Sequence, residues 1–167
     1  TRLKPHCTPV ALNGNGALNR FAPFGIQVVP DSLEGHLGPL AGVLEAMEWA
    51  ADLGHTEVIT IAVDTPFFPH DLVKRFMADR VQGQVALAGT CDADGKLWRH
   101  PTFGVWPVVL RDQLRTDLLA GTRKVTQWTE AQGATTILFE TSNFDPFFNI
   151  NTPEDLRQAQ QLIARAL

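Results

Sequence analysis

Glu57-Val58-Ile59-Thr60-Ile61-Ala62-Val63, followed without a break by Asp64-Thr65-Pro66-Phe67-Phe68-Pro69, is the stretch on which the fold turns. A β-branched apolar run of this length with a breaker behind it reads as a buried parallel strand. Ligands of open α/β sheets bind off the carboxyl ends of the strands, where this reading puts Asp64. Thr65-Pro66 would make an ordinary turn without any charge. A carboxylate in such a place costs stability unless something pairs with it. A divalent cation held against a phosphate-bearing ligand is a pairing that gives it a purpose.

Upstream, Leu40, Val43, Leu44, Met47, Ala50 and Ala51 fall on one face of an amphipathic helix, opened by Gly38-Pro39. Thr8 to Leu12 and Gly25 to Val29 are short apolar runs closed by Asn13-Gly14-Asn15-Gly16 and by Pro30-Asp31, hence strands ending in turns. Thr1-Arg2-Leu3-Lys4 looks like the tail of a helix. Downstream, a helix is expected from about His70 to Arg80, with Leu72, Val73 and Phe76 on its buried side. Strands are expected at Val85 to Gly89, Thr102 to Val108 and Thr135 to Phe139, with a turn at Asp92-Ala93-Asp94-Gly95. Helices cover about Val109 to Ala120 and Arg123 to Gln132, broken by Gly121. Thr152 reads as the N-cap of a last helix, with Pro153 at its first position and Glu154 and Asp155 in its first turn. Leu156, Ala159, Ile163 and Ala166 give that helix a core-facing stripe.

Strands alternating with helices point to a three-layer α/β domain with a mostly parallel, Rossmann-like sheet. The segment from Val85 to Val108 could add an antiparallel element. No repeat or linker divides the chain, so residues 1–167 are expected to be one domain.

Composition excludes several classes. Apolar residues make up 44% and charged residues 19%, enough for a packed core and too little charge for disorder. The net charge is −4 with Lys and Arg scattered, which argues against a nucleic-acid surface. Arg111 with Arg115, and Arg123-Lys124, read as solvated helix faces. No apolar run approaches a membrane span, and no secretory signal pattern stands in these residues. Cys7 and Cys91 lack metal-type spacing, so a reduced, cytoplasmic setting is expected.

Four loops place short polar residues directly after strand-like runs: Asn13-Gly14-Asn15, Asp31, Asp64, and Asn149-Ile150-Asn151. Asn and Gly after a strand also make ordinary turns, and Asp31 could be a cap. In an extended chain Asn149 and Asn151 share a face while Ile150 points to the core. They stand just ahead of a helix N-terminus, where free N–H groups and the dipole favour anions. Two converging amides could read a heteroaromatic edge, since each offers donors and an acceptor. Gly35 to Gly42 is a Gly-rich loop opening a helix, suited to close ligand approach, but no Lys-Ser or Lys-Thr follows to make it a Walker A loop. The five histidines show no metal-ligand spacing, and no Ser or Cys stands in a nucleophile elbow. Phe67, Phe68, Phe147 and Phe148 read as core or pocket wall.

In combination these loops resemble the molybdenum cofactor guanylyltransferase family, also called molybdopterin-guanine dinucleotide biosynthesis protein A. The matching stretches are ALNGN at 11–15, VVPDSLEGHLGPLAG at 28–42, VDTPFFPHDL at 63–72, HPT at 100–102, AGTRK at 120–124 and FFNINTPEDL at 147–156. GPLAG and NINTPEDL are specific, whereas DTP is shared by wider nucleotidyltransferases. The resemblance implies a nucleotidyltransferase fold and a transfer from GTP to molybdenum-loaded molybdopterin, giving the guanine dinucleotide cofactor and pyrophosphate. It implies that Asn13, Asp31 and Asp64 contact the nucleotide, and that Asp64 is the catalytic Mg²⁺ ligand. It implies that Asn149 and Asn151 face molybdopterin. Transient contacts with other cofactor-biosynthesis proteins and molybdoenzyme chaperones are implied as well. Asp31 suits guanine or ribose alike, because a carboxylate accepts two parallel donors.

The family's opening strand, with its Gly-rich loop of LAGG type and the Arg-Met-Gly and Lys that bind the triphosphate, has no counterpart here. A βα unit of roughly 30–40 residues is therefore expected ahead of Thr1, carrying a central strand and the phosphate loop. The implied chemistry needs no catalytic base. Its nucleophile is a phosphate already anionic at neutral pH, so the site has to align two anions and stabilise charge. Relatives that transfer CMP tend to an Asp-rich version of NINTPEDL and lack GPLAG, so Asn149, Asn151 and Gly38-Pro39-Leu40 favour guanine. A sugar-phosphate nucleotidyltransferase and a non-catalytic relative that binds pterin or a partner stay open at this point.

Overall fold

Pro39 sets the first turn of helix α1 (Pro39–Asp52), where its missing N–H costs nothing, and Gly38 turns the chain into it at φ +75°. Leu40, Val43, Leu44, Met47 and Ala50 are buried, as their spacing predicts, while Ala51 is half-buried. This computed structural model describes residues 2–35, 37–141 and 144–166, with side chains to residue 164. His36, and the side chain of Ala166 in the expected stripe, lie outside what is described.

The apolar face of α1 packs against two separate sheets. One is a parallel pair, β1 (Ala11–Asn13) with β2 (Gln27–Val29). The other has four strands in the order β3 (Glu57–Thr60), β5 (Leu97–Pro107), β4 (Ala86–Cys91), β6 (Thr135–Leu138). Strand β5 runs antiparallel to both β3 and β4, whereas β4 and β6 pair in parallel. The expectation of a mostly parallel sheet is therefore corrected to a mixed one. The cause is local. The Asp92 carboxylate accepts the N–H groups of Asp94 (3.1 Å) and Lys96 (2.9 Å), closing a tight turn that sends β5 straight back along β4. The antiparallel element foreseen between Val85 and Val108 is this hairpin.

Among the described residues β5 lies between β3 and β4, so β3 stands at the edge of this sheet and pairs antiparallel rather than in parallel. It also ends at Thr60, short of Asp64. The Thr60 hydroxyl donates to the Thr102 carbonyl (2.9 Å) and accepts from the Trp106 indole (2.8 Å). Beyond it the chain leaves the ladder, and the Asp64 carbonyl accepts instead from the Ile150 N–H (2.8 Å).

Side chains alternate across the four-stranded sheet. Val85, Leu87 and Trp106 join α1, α3 (Arg111–Leu119) and α4 (Val125–Ala131) on one face. Ala86, Ala88, Phe103 and Val105 join α2 (Leu72–Asp79), Phe68, Phe139 and Phe147 on the other. This gives three layers. Helix α5 (Pro153–Ala166) forms with the predicted cap: Asp155 accepts from the Thr152 N–H (2.8 Å) and the Thr152 hydroxyl accepts from the Asp155 N–H (3.1 Å). Its stripe is not core-facing as expected, since Ala159 is buried but Leu156 and Ile163 are about half exposed. The expected helix tail at the start is a single turn, with the N–H groups of His6 and Cys7 donating to the Leu3 carbonyl. A 3-10 helix at Leu18–Phe24 was not foreshadowed by any periodicity. No helix among the described residues is long and apolar enough to cross a membrane.

Leu44 is 1% exposed in the layer beneath both sheets. Leu44→Ala is expected to lower unfolding stability by about 2–5 kcal/mol, read from the urea midpoint at unchanged slope.

Candidate functional site

Strand β2, helix α1 and strand β3 form a crossover, with α1 running back from the end of β2 to the start of β3. The ends of β1 and β2 lie on the chain ahead of α1, and the loop that carries Asp64 follows β3. At the ends of β1 and β2, the Asn13 side chain donates to Asp31 Oδ1 (2.8 Å) and to the Val29 carbonyl (3.0 Å). Asn15 donates to Asp31 Oδ2 (2.8 Å), and its own Oδ1 accepts the Asp31 N–H (2.8 Å). Both carboxylate oxygens of Asp31 are thus held, and each keeps one lone pair for a further donor. Gly42, in the first turn of α1, makes room for this cluster: a Cβ there would lie 2.6 Å from Asn13 Oδ1.

In the loop after β3, Asp64 is half-buried and Thr65 is 1% exposed. The Thr65 hydroxyl lies 3.2 Å from Asp64 Oδ1 and 2.5 Å from the Asn149 side-chain oxygen. It has a single proton, and the carboxylate can only accept. Turning the Asn149 amide satisfies both contacts, with the amide donating to Thr65 and Thr65 donating to Asp64. Asn149 is therefore joined to Asp64 through Thr65. Ile150 is half-buried rather than buried. The Asn151 N–H donates to Asp155 Oδ2 (3.0 Å), which commits that residue's backbone to the helix cap, and Asn151 is exposed.

Among the described residues no three His, Cys, Asp or Glu side chains are placed to cage a metal. Asp64 is a single carboxylate beside neutral oxygen donors. Mg²⁺ commonly takes one or two carboxylates with phosphate oxygens and waters completing its shell, and that donor chemistry fits a lone Asp in a loop at the sheet edge.

Off the ends of β4 and β6, a cavity of about 450 Å³ is lined by Thr90, Cys91, Asp92, Trp98, His100, Thr141 and Asp145. The His100 ring stacks on Phe147 with centroids 4.0 Å apart, and His100 Nε2 lies 3.0 Å from the Thr90 hydroxyl. Burial holds the His100 pKa below the ordinary imidazole value, against an opposing pull from Asp145. A second cavity, of about 320 Å³, lies by His55, Glu57 and Val108 at the other end of β3, away from Asp64.

Sequence reasoning gave no role to Thr65, His100 or Asp145, and took Asn15 only as part of the Asn13-Gly14-Asn15 loop. Asn15 stands two residues past Asn13, and Thr65 directly follows Asp64, so adjacency to a chosen residue was the available signal for both. Nothing short of the fold brings His100 to Phe147.

Residues 1–136 match the family of the MobA-like NTP transferase domain. With that match and an α/β fold whose loops hold the Asp64 carboxylate and the Asn13–Asp31 cluster, the chain is a nucleotidyltransferase. It is 42% identical over 167 residues to the molybdenum cofactor guanylyltransferase of Bradyrhizobium sp. (strain ORS 278), covering 98% of this chain and 77% of that one. It is 40% identical over 166 residues to that of Nitrobacter hamburgensis, covering 98% and 78%. The solved structure of molybdopterin-guanine dinucleotide biosynthesis protein A from Archaeoglobus fulgidus shares the fold, with a TM-score of 0.65 at 20% identity over 89% of this chain and 74% of that one. The chain belongs to the molybdenum cofactor guanylyltransferase family.

Because the folded state disfavours charged His100, the unfolded state binds the extra proton more readily. Stability is expected to fall as pH drops through about 6.5, the ordinary imidazole value. His100→Gln should flatten that acid limb in melts taken from pH 7.5 to 5.5.

Proposed function

We propose that the protein transfers GMP from GTP to molybdenum-loaded molybdopterin, releasing pyrophosphate and forming the guanine dinucleotide. The observation that carries this reading is a pair of held carboxylates: Asp31, gripped by Asn13 and Asn15 after β2, and Asp64, after β3, with Asn149 joined to it through Thr65. A phosphate oxygen of the acceptor attacks the α-phosphorus of GTP. The bond from that phosphorus to the bridging oxygen breaks, and pyrophosphate leaves with the electron pair. The attacking oxygen is anionic at neutral pH, so the site has to align and neutralise rather than deprotonate.

Asp64 is the residue that would hold Mg²⁺, and the ion when bound offsets charge on the phosphates as they meet. Asn13 and Asp31 hold the guanosine part of GTP, since their fixed amide and carboxylate present acceptors in a set geometry. Asn149 and Asn151 orient molybdopterin, with Asn149 nearest the reacting phosphates. Residues 1–167 act as one domain. Cys7 and Cys91 are both free, which suits work in the reducing cytoplasm. There the product passes by transient contact to cofactor-biosynthesis proteins and molybdoenzyme chaperones.

Asp64→Asn keeps an acceptor for Thr65 and hence the loop. It is expected to lower kcat by about 10²-fold or more in a GTP–molybdopterin assay with Mg²⁺, in line with removing one charge-stabilising group. Wild-type turnover at saturating Mg²⁺ would sink its role. GTP with Mg²⁺ should raise the melting temperature where CTP does not, and equal shifts would favour the cytidylyl reading. Asn149→Ala should raise KM for molybdopterin and leave GTP affinity unchanged by calorimetry. A matching loss of GTP affinity would move Asn149 to the nucleotide side.

A further inference from the structure

Between the end of β3 at Thr60 and the start of α2 at Leu72 the chain has no ladder of its own. Its carbonyls need partners from elsewhere, and Pro66 and Pro69 have no N–H with which to build a local one. The Asp64 carbonyl is met by the Ile150 N–H, and the Pro69 carbonyl by the Leu72 N–H (3.1 Å). Between these two, a single side chain meets the carbonyls of Pro66 and Phe68. Arg2 Nη1 donates to Pro66 (2.5 Å) and Arg2 Nη2 to Phe68 (2.7 Å), 64 and 66 positions away in sequence. The guanidinium carbon lies 4.6 Å from the centroid of the Phe68 ring, which is itself buried in the core. Leu3 and Cys7, in the turn that follows Arg2, pack against the same core cluster and anchor the backbone from which the arginine reaches out. Burial lowers the Arg2 pKa, the mark of a cation drawn out of water towards this turn.

We propose that Arg2 is a positioning residue for Asp64, an inference that rests on the reading of Asp64 as the Mg²⁺ ligand. A planar guanidinium fixes two carbonyls in one geometry, which the point charge of an ammonium does not. Thr65 then stands between two anchored carbonyls, that of Asp64 on Ile150 and that of Pro66 on Arg2. It is 1% exposed, and its hydroxyl lies 3.2 Å from Asp64 Oδ1, so fixing Thr65 fixes the direction of the carboxylate. Mg²⁺ demands a near-ideal octahedron of short bonds, and small misplacements at a reacting centre are costly. A carboxylate free to swing therefore loses the ion well before the fold is lost. Arg2 touches neither substrate in this role and acts through the turn.

Arg2→Ala and Arg2→Lys test this in the full chain, beside Asp64→Asn. Lysine keeps the charge and can reach one carbonyl, and should alanine not fold, Arg2→Lys carries the same comparisons. The Mg²⁺ concentration giving half-maximal rate is expected to rise about tenfold in Arg2→Ala and by a smaller factor in Arg2→Lys, with KM for GTP at saturating Mg²⁺ unchanged. Millimolar guanidinium chloride, far below denaturing concentrations, should restore part of the loss in Arg2→Ala. Independently of turnover, hydrogen exchange read by mass spectrometry should quicken at residues 64–68 in both variants, while β4 keeps wild-type protection. On the Asp64→Asn background Arg2→Ala should leave the Mg²⁺ midpoint where it is, because the group it positions has lost its charge. Additive losses there would make Arg2 merely structural and overturn the inference. A wild-type midpoint with wild-type exchange in the Arg2 variants would overturn it too, as would a raised KM for GTP at a normal midpoint, the sign of direct contact with the nucleotide. A wild-type midpoint in Asp64→Asn would instead strike the metal reading, and the inference with it.

Discussion

One apolar stripe on α1 has to satisfy two sheets at once. Leu40, Val43, Leu44 and Met47 are almost wholly buried, and the helix packs against β1 and β2 as well as β3 and β5. The relative position of the Asn13–Asp31 cluster and the Asp64 loop is set through this shared support. Close packing makes such a support stiff, because a core layer tolerates little change in volume. The same helix leaves a gap in its own surface at Gly42, through which the Asn13 amide comes down onto the first turn. Support and site are thus one construction.

Around that support the polar groups fall into pairs in which one side chain orients another. Asn15 grips Asp31 at both its backbone and its carboxylate, and Thr65 gives its one proton to Asp64 while accepting from the Asn149 amide. Asp92 performs the same service for Trp98. Hydrogen bonds from these neighbours stabilise the ionised carboxylate, and the Trp98 indole followed by the Lys96 N–H holds Asp92 below its usual range. A site arranged in this way presents acceptors at fixed positions before any ligand arrives, which is what alignment of two charged substrates demands.

Much of this was legible in the residues. The α1 stripe, the Asp92 turn and the Thr152 cap rest on short-range geometry, and short-range geometry is what a sequence records most directly. Strand direction is different. Val85 to Gly89 and Thr102 to Val108 have the same apolar character whichever way they run, so the reversal of β5, and with it the edge position of β3, depends on which strands meet. The α5 stripe misled for a related reason. Leu156 and Ile163 carry the right spacing, yet both stay about half exposed, and Ala159 is the buried residue among those described in that helix. Asp64, Asn13 and Asp31 were chosen from polar residues after apolar runs. The orienting partners Thr65 and Asn15 look like ordinary turn residues until the bonds are seen.

The reversed strand β5 also dictates an order of assembly. Strands β4 and β5 are joined by a turn so short that their hairpin can close within microseconds. Among the described strands β3 pairs with β5 alone, and Thr60 must wait for Gly104, far along the chain, before that ladder forms. Long-range pairing of this kind comes late, after its loop-closure entropy has been met. On the ribosome, Val58 and Ile59 emerge well before the residues that will cover them. Until β5 is made, the β3 side that it covers stays unpaired and open to wrong partners.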